Sequence, residues 1–213
     1  MKRYIFDLEG NGLLDTLSHI YMVVAKELGQ ENYIIFSDEN IENARPLAEF
    51  EGFCAEADLM VGHNAIRYDV PAIEKVLGFD MHDHVKIHDS MIMSKLCNFI
   101  RPETSRRHSL KMWGEFLGNN KGEYDKGFDE YHPEMLPYCL QDVALTEKVY
   151  MHLLGEVKQR CDQKPLFKTA LQTEHALSAI SAQQVRDGWL FDFDGCQKLI
   201  DCLLYTSPSP RDS

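Results

Sequence analysis

The stretch YIFDLEGNGLL, residues 4–14, sets two carboxylates, Asp7 and Glu9, at the end of an apolar run. In a strand, residues i and i+2 share a face with Cα atoms about 6.5–7 Å apart, so both side chains can point into one site. Like charges that close do not both stay ionised in a low-dielectric cleft unless a cation compensates them. The pair therefore reads as a metal site or, more simply, as a solvated strand end. A second acid, Asp69 in HNAIRYDVPAI, follows the apolar run DLMVGHN and either joins that site or caps a helix, with Pro71 fitting the capping reading. In PYCLQDVALTEKVY a spacing of four puts Tyr138 and Asp142 on one helical face, as would any amphipathic helix with a half-buried tyrosine.

These side chains need elements to hold them. Residues 3–9, 19–28 and 32–37 read as strands split by GNGLLD and GQE, which is hairpin punctuation. A helix is expected from Pro46 to Ala57, a buried strand at 58–64, a helix from Val70 to Leu77 and a further strand at 84–90. Helical IMSKL follows and, after a polar loop, HSLKMWGEFLG. A long helix runs from about Pro133 to Val157, with Pro137 either starting or kinking it. Strands in hairpins, then strands alternating with helices, give a mixed α/β sheet with helices packed against it. A helical pattern over 169–187 stops at Gly188, and a domain boundary is placed near 158–168.

With 213 residues and 44% hydrophobic content the chain can build one sizeable core, or one domain and the start of another. It shows no membrane-length apolar run and no signal peptide, so it reads as a soluble intracellular protein. Six cysteines, at 54, 97, 139, 161, 196 and 202, form no C-x-x-C pair and read as reduced thiols. A net charge of −12 argues against coating nucleic acid through a broad basic surface, but permits an enzyme that grips a few phosphates with the help of bound cations. Arg101, Arg106, Arg107, His108 and Lys111 are the main basic cluster, read either as phosphate contacts or as an ordinary exposed loop. His82, His84 and His88 read as surface polar positions rather than a metal site.

In order, D-x-E, N-x-x-x-Y-D and Y-x-x-x-D resemble the three exonuclease motifs of the DEDD superfamily, and the tyrosine four before the last Asp resembles its tyrosine-type branch. DLEGNGLL, HNAIRYDVPAI, HSLKMWGEFLGNNKGEY and YCLQDVALTEKV are similar to segments of the proofreading domain of T-seven-like phage DNA polymerases of family A. The resemblance covers roughly residues 1–155, and TEHALSAISAQQVRDGWLFD resembles the start of the polymerase domain. It implies a ribonuclease H-like 3′→5′ exonuclease domain over 1–157, a helical and truncated start of a polymerase domain over 158–201, and no polymerase active site in this chain. It also implies two divalent ions, Mg²⁺ or Mn²⁺, with Asp7 bridging them, Glu9 and Asp142 completing the first site and Asp69 holding the second, partly through water. Tyr138 would orient the attacking water, since a phenol of ordinary pKa, about 10, is a poor base at neutral pH. Leu13 and Leu14 either wedge between the last bases of a frayed 3′ end or pack in the core, and Asn64 either holds the terminal nucleotide, as the resemblance implies, or satisfies a backbone turn.

The implied substrate is a single-stranded or frayed DNA 3′ end in the cytoplasm of an infected bacterial host, and the full-length polymerase would carry any processivity factor. The loop NFIRPETSRRH looks shorter than its phage counterpart. Two competing readings are a free-standing RNA-trimming exonuclease and a catalytically silent DNA-binding module. Finally, CLLYTSPSPRD matches the translation of a transposase adapter used in preparing sequencing libraries, so residues 202–213 are expected to be an extended artefact and the natural gene to be cut near Asp201.

Overall fold

The computed structural model describes residues 1–119 and 124–206. Part of the segment GNNKGEY and the tail from 207 onward therefore lie outside the described residues. A five-stranded sheet is built from β1 (Arg3–Gly10), β2 (Ile20–Glu27), β3 (Tyr33–Phe36), β4 (Leu59–Gly62) and β5 (Ile87–Asp89), in the order β3-β2-β1-β4-β5. The two hairpin pairings are antiparallel, while β1–β4 and β4–β5 are parallel. This is the expected mixed α/β sheet, and β1 is its central strand.

Alternation along β1 sorts the molecule into two cores. Tyr4, Phe6 and Leu8 join one apolar cluster with Phe50 and Phe53 of α1 (Phe50–Glu56) and Ala72 and Ile73 of α2 (Asp69–Leu77). Ile5 points the other way, into a cluster with Val24, Val61, Trp113 and the helix α5 (Met135–Gln163). Each fully buried side chain of this size contributes about 1.5–3 kcal/mol, so both faces of β1 are pinned. Asp7 and Glu9 continue the Ile5 face, and their cross-strand partners Val24 and Met22 belong to the α5-side cluster. The carboxylates are thus aimed under α5 by the same register that buries Ile5.

Between α2 and α5 lie α3 (Ser90–Cys97) and the short α4 (Leu110–Phe116). Pro137 starts α5 rather than kinking it: it stands in the first turn, where its missing N–H is not needed. The helix runs on to Gln163, past the expected end near Val157. Its buried stripe, Met135, Cys139, Asp142, Val143, Thr146, Val149, Tyr150 and Leu153, has helical spacing, and Asp142 occupies a position that would otherwise be apolar core.

Two expectations are corrected. Arg101 is neither a phosphate contact nor part of an exposed loop, because its side chain is fully buried. It forms a fork with Glu156 of α5, at 2.8 and 2.7 Å, a further pair with Glu103 at 2.8 Å, and lies 4.7 Å over the Trp113 ring. Arg106, Arg107 and Lys111 are exposed, and His108 is held by Ser94 Oγ at 2.7 Å and the Phe99 carbonyl at 3.1 Å. His88 and His84 are half-buried rather than surface positions. His88 Nδ1 meets Tyr150 Oη at 3.0 Å, and burial drives its imidazole down to about 4.

Two compact units divide the chain, one spanning Met1–Ala182 and the other beginning at Gln183. The division falls within α6 (Phe167–Asp187), whose first part packs in the first unit through Leu171 and Ala179. The second unit contains the end of α6, Gly188 in a left-handed conformation (φ 71°) and α7 (Phe193–Thr206). Residues 202–206, read as the start of an extended tail, are the last turn of α7. Among the described residues no helix is long and apolar enough to cross a membrane.

Candidate active site

The acids of the three motifs meet at one end of the sheet. Asp7 and Glu9 come from the last residues of β1, just before a register shift between Glu9 and Gly10. Gly10 is required there: a Cβ would stand 2.7 Å from Leu17 Cδ1 and 2.8 Å from the His19 carbonyl oxygen. Asp69 is the first residue of α2 rather than a cap before it, and a backbone hydrogen bond to Leu8 ties its carboxyl to β1 between Asp7 and Glu9. Asp142 and Tyr138 come from α5.

Cys139 sits among all four acids. Its Sγ lies 3.9 Å from Asp7 Oδ2, and donor atoms of Asp7, Glu9 and Cys139 are all within 4.8 Å of one another. Burial raises this thiol well above its ordinary value, and the charges of Asp7, Glu9, Asp142 and Asp69 raise it further, in that order. The Asp69 carboxyl is pushed up to about 7, chiefly by burial, with Asp89 and Asp142 adding to the rise and backbone hydrogen bonds opposing it. Tyr68 rises to about 12 through burial and the charges of Asp69, Glu9 and Asp7. Negative charge gathered this densely, on oxygen donors from three separate elements, fits a divalent cation. Tyr138 is half-buried beside the site, its ring 5.7 Å from that of Tyr124, whose own phenol feels the charge of Glu9.

The loop after β1 is fixed from α2. Tyr68 Oη donates to the Gly12 carbonyl at 2.6 Å and Lys75 Nζ to the Leu14 carbonyl at 2.6 Å. This arrangement separates the two leucines. Leu13 is 76% exposed, whereas Leu14 packs against the first core. Asn64 is half-buried in a left-handed conformation (φ 66°), a strained geometry that Asn tolerates better than most residues.

Asp89 was absent from the candidates, yet it organises this loop. Its carboxylate accepts the backbone N–H groups of Asn64 at 3.0 Å, Ile66 at 3.1 Å and Met91 at 2.9 Å, while its own N–H donates to His175 Nε2 at 2.9 Å. The available signal was an Asp directly before a helical run, the N-cap pattern. Cys139 was also missed, although three residues before Asp142 puts it on the same helical face.

No protein-family model matches the sequence. In sequence the chain is similar to the DNA-directed DNA polymerases of Escherichia phage T7 and Enterobacteria phage T3, each 24% identical across 92% of this chain. The chain spans about a third, 34%, of the length of these curated relatives. In structure it is similar to Brucella melitensis NrnC with bound Mg²⁺, at 17% identity and a TM-score of 0.62 over 91% of each chain, and NrnC has also been seen bound to pGG. It is likewise similar to Escherichia coli RNase D, an exoribonuclease involved in structured RNA processing, at 12% identity and a TM-score of 0.58 over 84% of this chain and 45% of that one.

Proposed function

We propose that this chain is the 3′→5′ proofreading exonuclease region of a phage DNA polymerase working in an infected host cell, with Asp7, Glu9, Asp69 and Asp142 as its cation ligands. The observation that carries this reading is the convergence of four carboxylates from β1, α2 and α5 around Cys139, at the sheet end where Tyr138 also stands. Asp7 would be shared between two ions, Glu9 and Asp142 would complete one site, and Asp69 would serve the other. Two divalent cations, Mg²⁺ or Mn²⁺, would lower the barrier to attack of water at phosphorus and stabilise the departing 3′ oxygen.

The residues of the chain do the rest. Tyr138 directs its hydroxyl at the attacking water and orients it. Leu13, exposed on a loop braced by Tyr68 and Lys75, is the apolar contact for the terminal base, and Asn64 holds the terminal nucleotide. Leu14 supports the loop from the core side. Residues from 158 onward would lead into the polymerase domain, and a processivity factor would act on the full-length enzyme. The test is cleavage of single-stranded DNA by the purified chain: 5′-mononucleotides released from the 3′ end with Mg²⁺, and no release in EDTA. Cleavage that persists in EDTA overturns the reading.

A second reading has one observation in its favour. The fold is shared with Escherichia coli RNase D, an exoribonuclease involved in structured RNA processing, which supports an RNA-trimming exonuclease as the alternative. Matched DNA and RNA oligonucleotides with the same 3′ sequence separate the two, and faster cleavage of RNA would favour the second.

A further inference from the structure

We infer that Cys139 makes the cation site selective toward thiophilic ions: Zn²⁺ or Cd²⁺ is captured by its sulfur together with Asp7 and Glu9, in competition with the hard ions that support hydrolysis. This rests on the cation site proposed above and adds a ligand to it. The sulfur is fully buried, so it faces the acids rather than solvent, and it lies 3.9 Å from Asp7 Oδ2. Sulfur and oxygen donors bound to one tetrahedral ion, at about 2.3 and 2.1 Å, stand about 3.6 Å apart. The observed spacing therefore needs only a small adjustment, and the 4.8 Å limit on all three donors admits Glu9 to the same ion.

Hard and soft ions would use the same pocket differently. Mg²⁺ takes oxygen ligands and leaves the thiol protonated beside it. A thiophilic ion displaces the thiol proton, forming one metal–sulfur bond and releasing one H⁺ to solvent. Among the donor atoms gathered here the sulfur is the only soft one, so it decides which ions are held in this second way.

The experiment is a Cd²⁺ titration of the full chain, read by the ultraviolet sulfur-to-cadmium charge-transfer band and by proton release. Wild type, Cys139→Ser and Asp7→Asn are compared, with circular dichroism as the fold check and Cys139→Ala held in reserve if the serine variant does not fold. The expected result is a one-equivalent band in wild type that is missing from both variants. Asp7→Asn keeps all six thiols, so loss of the band there assigns the bound ion to this site. Cadmium affinity should fall about 10- to 100-fold in Cys139→Ser, while the rise in melting temperature on adding Mg²⁺ persists. A full band in Cys139→Ser, or one that survives in Asp7→Asn, overturns the inference. If the chain instead fails to cleave DNA with Mg²⁺ while the cadmium band behaves as described, the exonuclease reading falls and the sulfur ligand stands.

Discussion

Helix α5 carries Asp142 near its beginning and Glu156 about four turns later, and the two carboxylates meet opposite surroundings. Asp142 lies near Asp69, and its charge adds to the burial that raises the Asp69 carboxyl. Glu156 meets the fully buried Arg101, whose hydrogen bonds hold the Glu156 carboxyl below its usual range. The first arrangement works against the fold unless an ion joins it, and the second is complete within the chain. Stability and chemistry therefore separate along one helix, and substitutions at its two ends should fail in different ways.

The largest separation is expected from Asp7→Ala. Losing the acid assigned to both ions should reduce cleavage by about 10³-fold or more, while the metal-free melting temperature stays level or rises as like-charge repulsion is relieved. Asp15→Ala, an exposed neighbour in sequence, is the control and should change neither quantity. At the other end, Arg101→Leu leaves Glu156 without its fork and Trp113 without its cation, and should cost about 3 kcal/mol of stability. Where that variant remains folded, its cleavage rate should match wild type; a large loss of rate at unchanged stability would erase the distinction between the two ends.

A finer cut comes from Tyr138→Phe, which keeps the ring and removes the hydroxyl. Cleavage should slow about 10- to 100-fold with Mg²⁺ binding intact, as read by thermal shift. Equal losses in both would place Tyr138 with the ligands instead. The smallest effect concerns Asp69. Its carboxyl is raised from 3.8 to about 7, so the folded state holds that proton more tightly than the unfolded chain does. The stabilising contribution is complete below about pH 4 and is lost as pH rises through about 7. Asp69→Asn, which stays neutral, should match wild type near pH 4, melt a few degrees higher at pH 8 without metal, and gain less from added Mg²⁺. A melting curve that loses stability with pH equally in both proteins would remove Asp69 from the acidic group.

Much of this was legible before the structure. Period-2 apolarity in β1 and helical spacing in α5 depend on local rules, so the sheet, the long helix and the placement of Asp7, Glu9, Asp69 and Asp142 could be read from residue order. Arg101 could not, because its fork partner Glu156 lies 55 residues further along the chain and nothing local marks an arginine for burial. His88 escaped for the same reason, its environment being set by Tyr150 and His175. The division of the chain into units at Ala182 reflects packing of the first part of α6, which local composition does not report.

The Asp89–His175 contact joins two parts of the chain that lie far apart in sequence. His175 also engages the Leu171 carbonyl at 2.8 Å through Nδ1, so one ring nitrogen is anchored in α6 and the other is the acceptor for Asp89. Asp89 in turn gathers the N–H groups of Asn64 and Ile66, only a few residues before Asp69. The first part of α6 is therefore connected to the Asn64 loop through one imidazole and one carboxylate, by hydrogen bonds of 2.9–3.1 Å. The place of α6 and the backbone course of the Asn64 loop are thereby set by the same two side chains, His175 and Asp89.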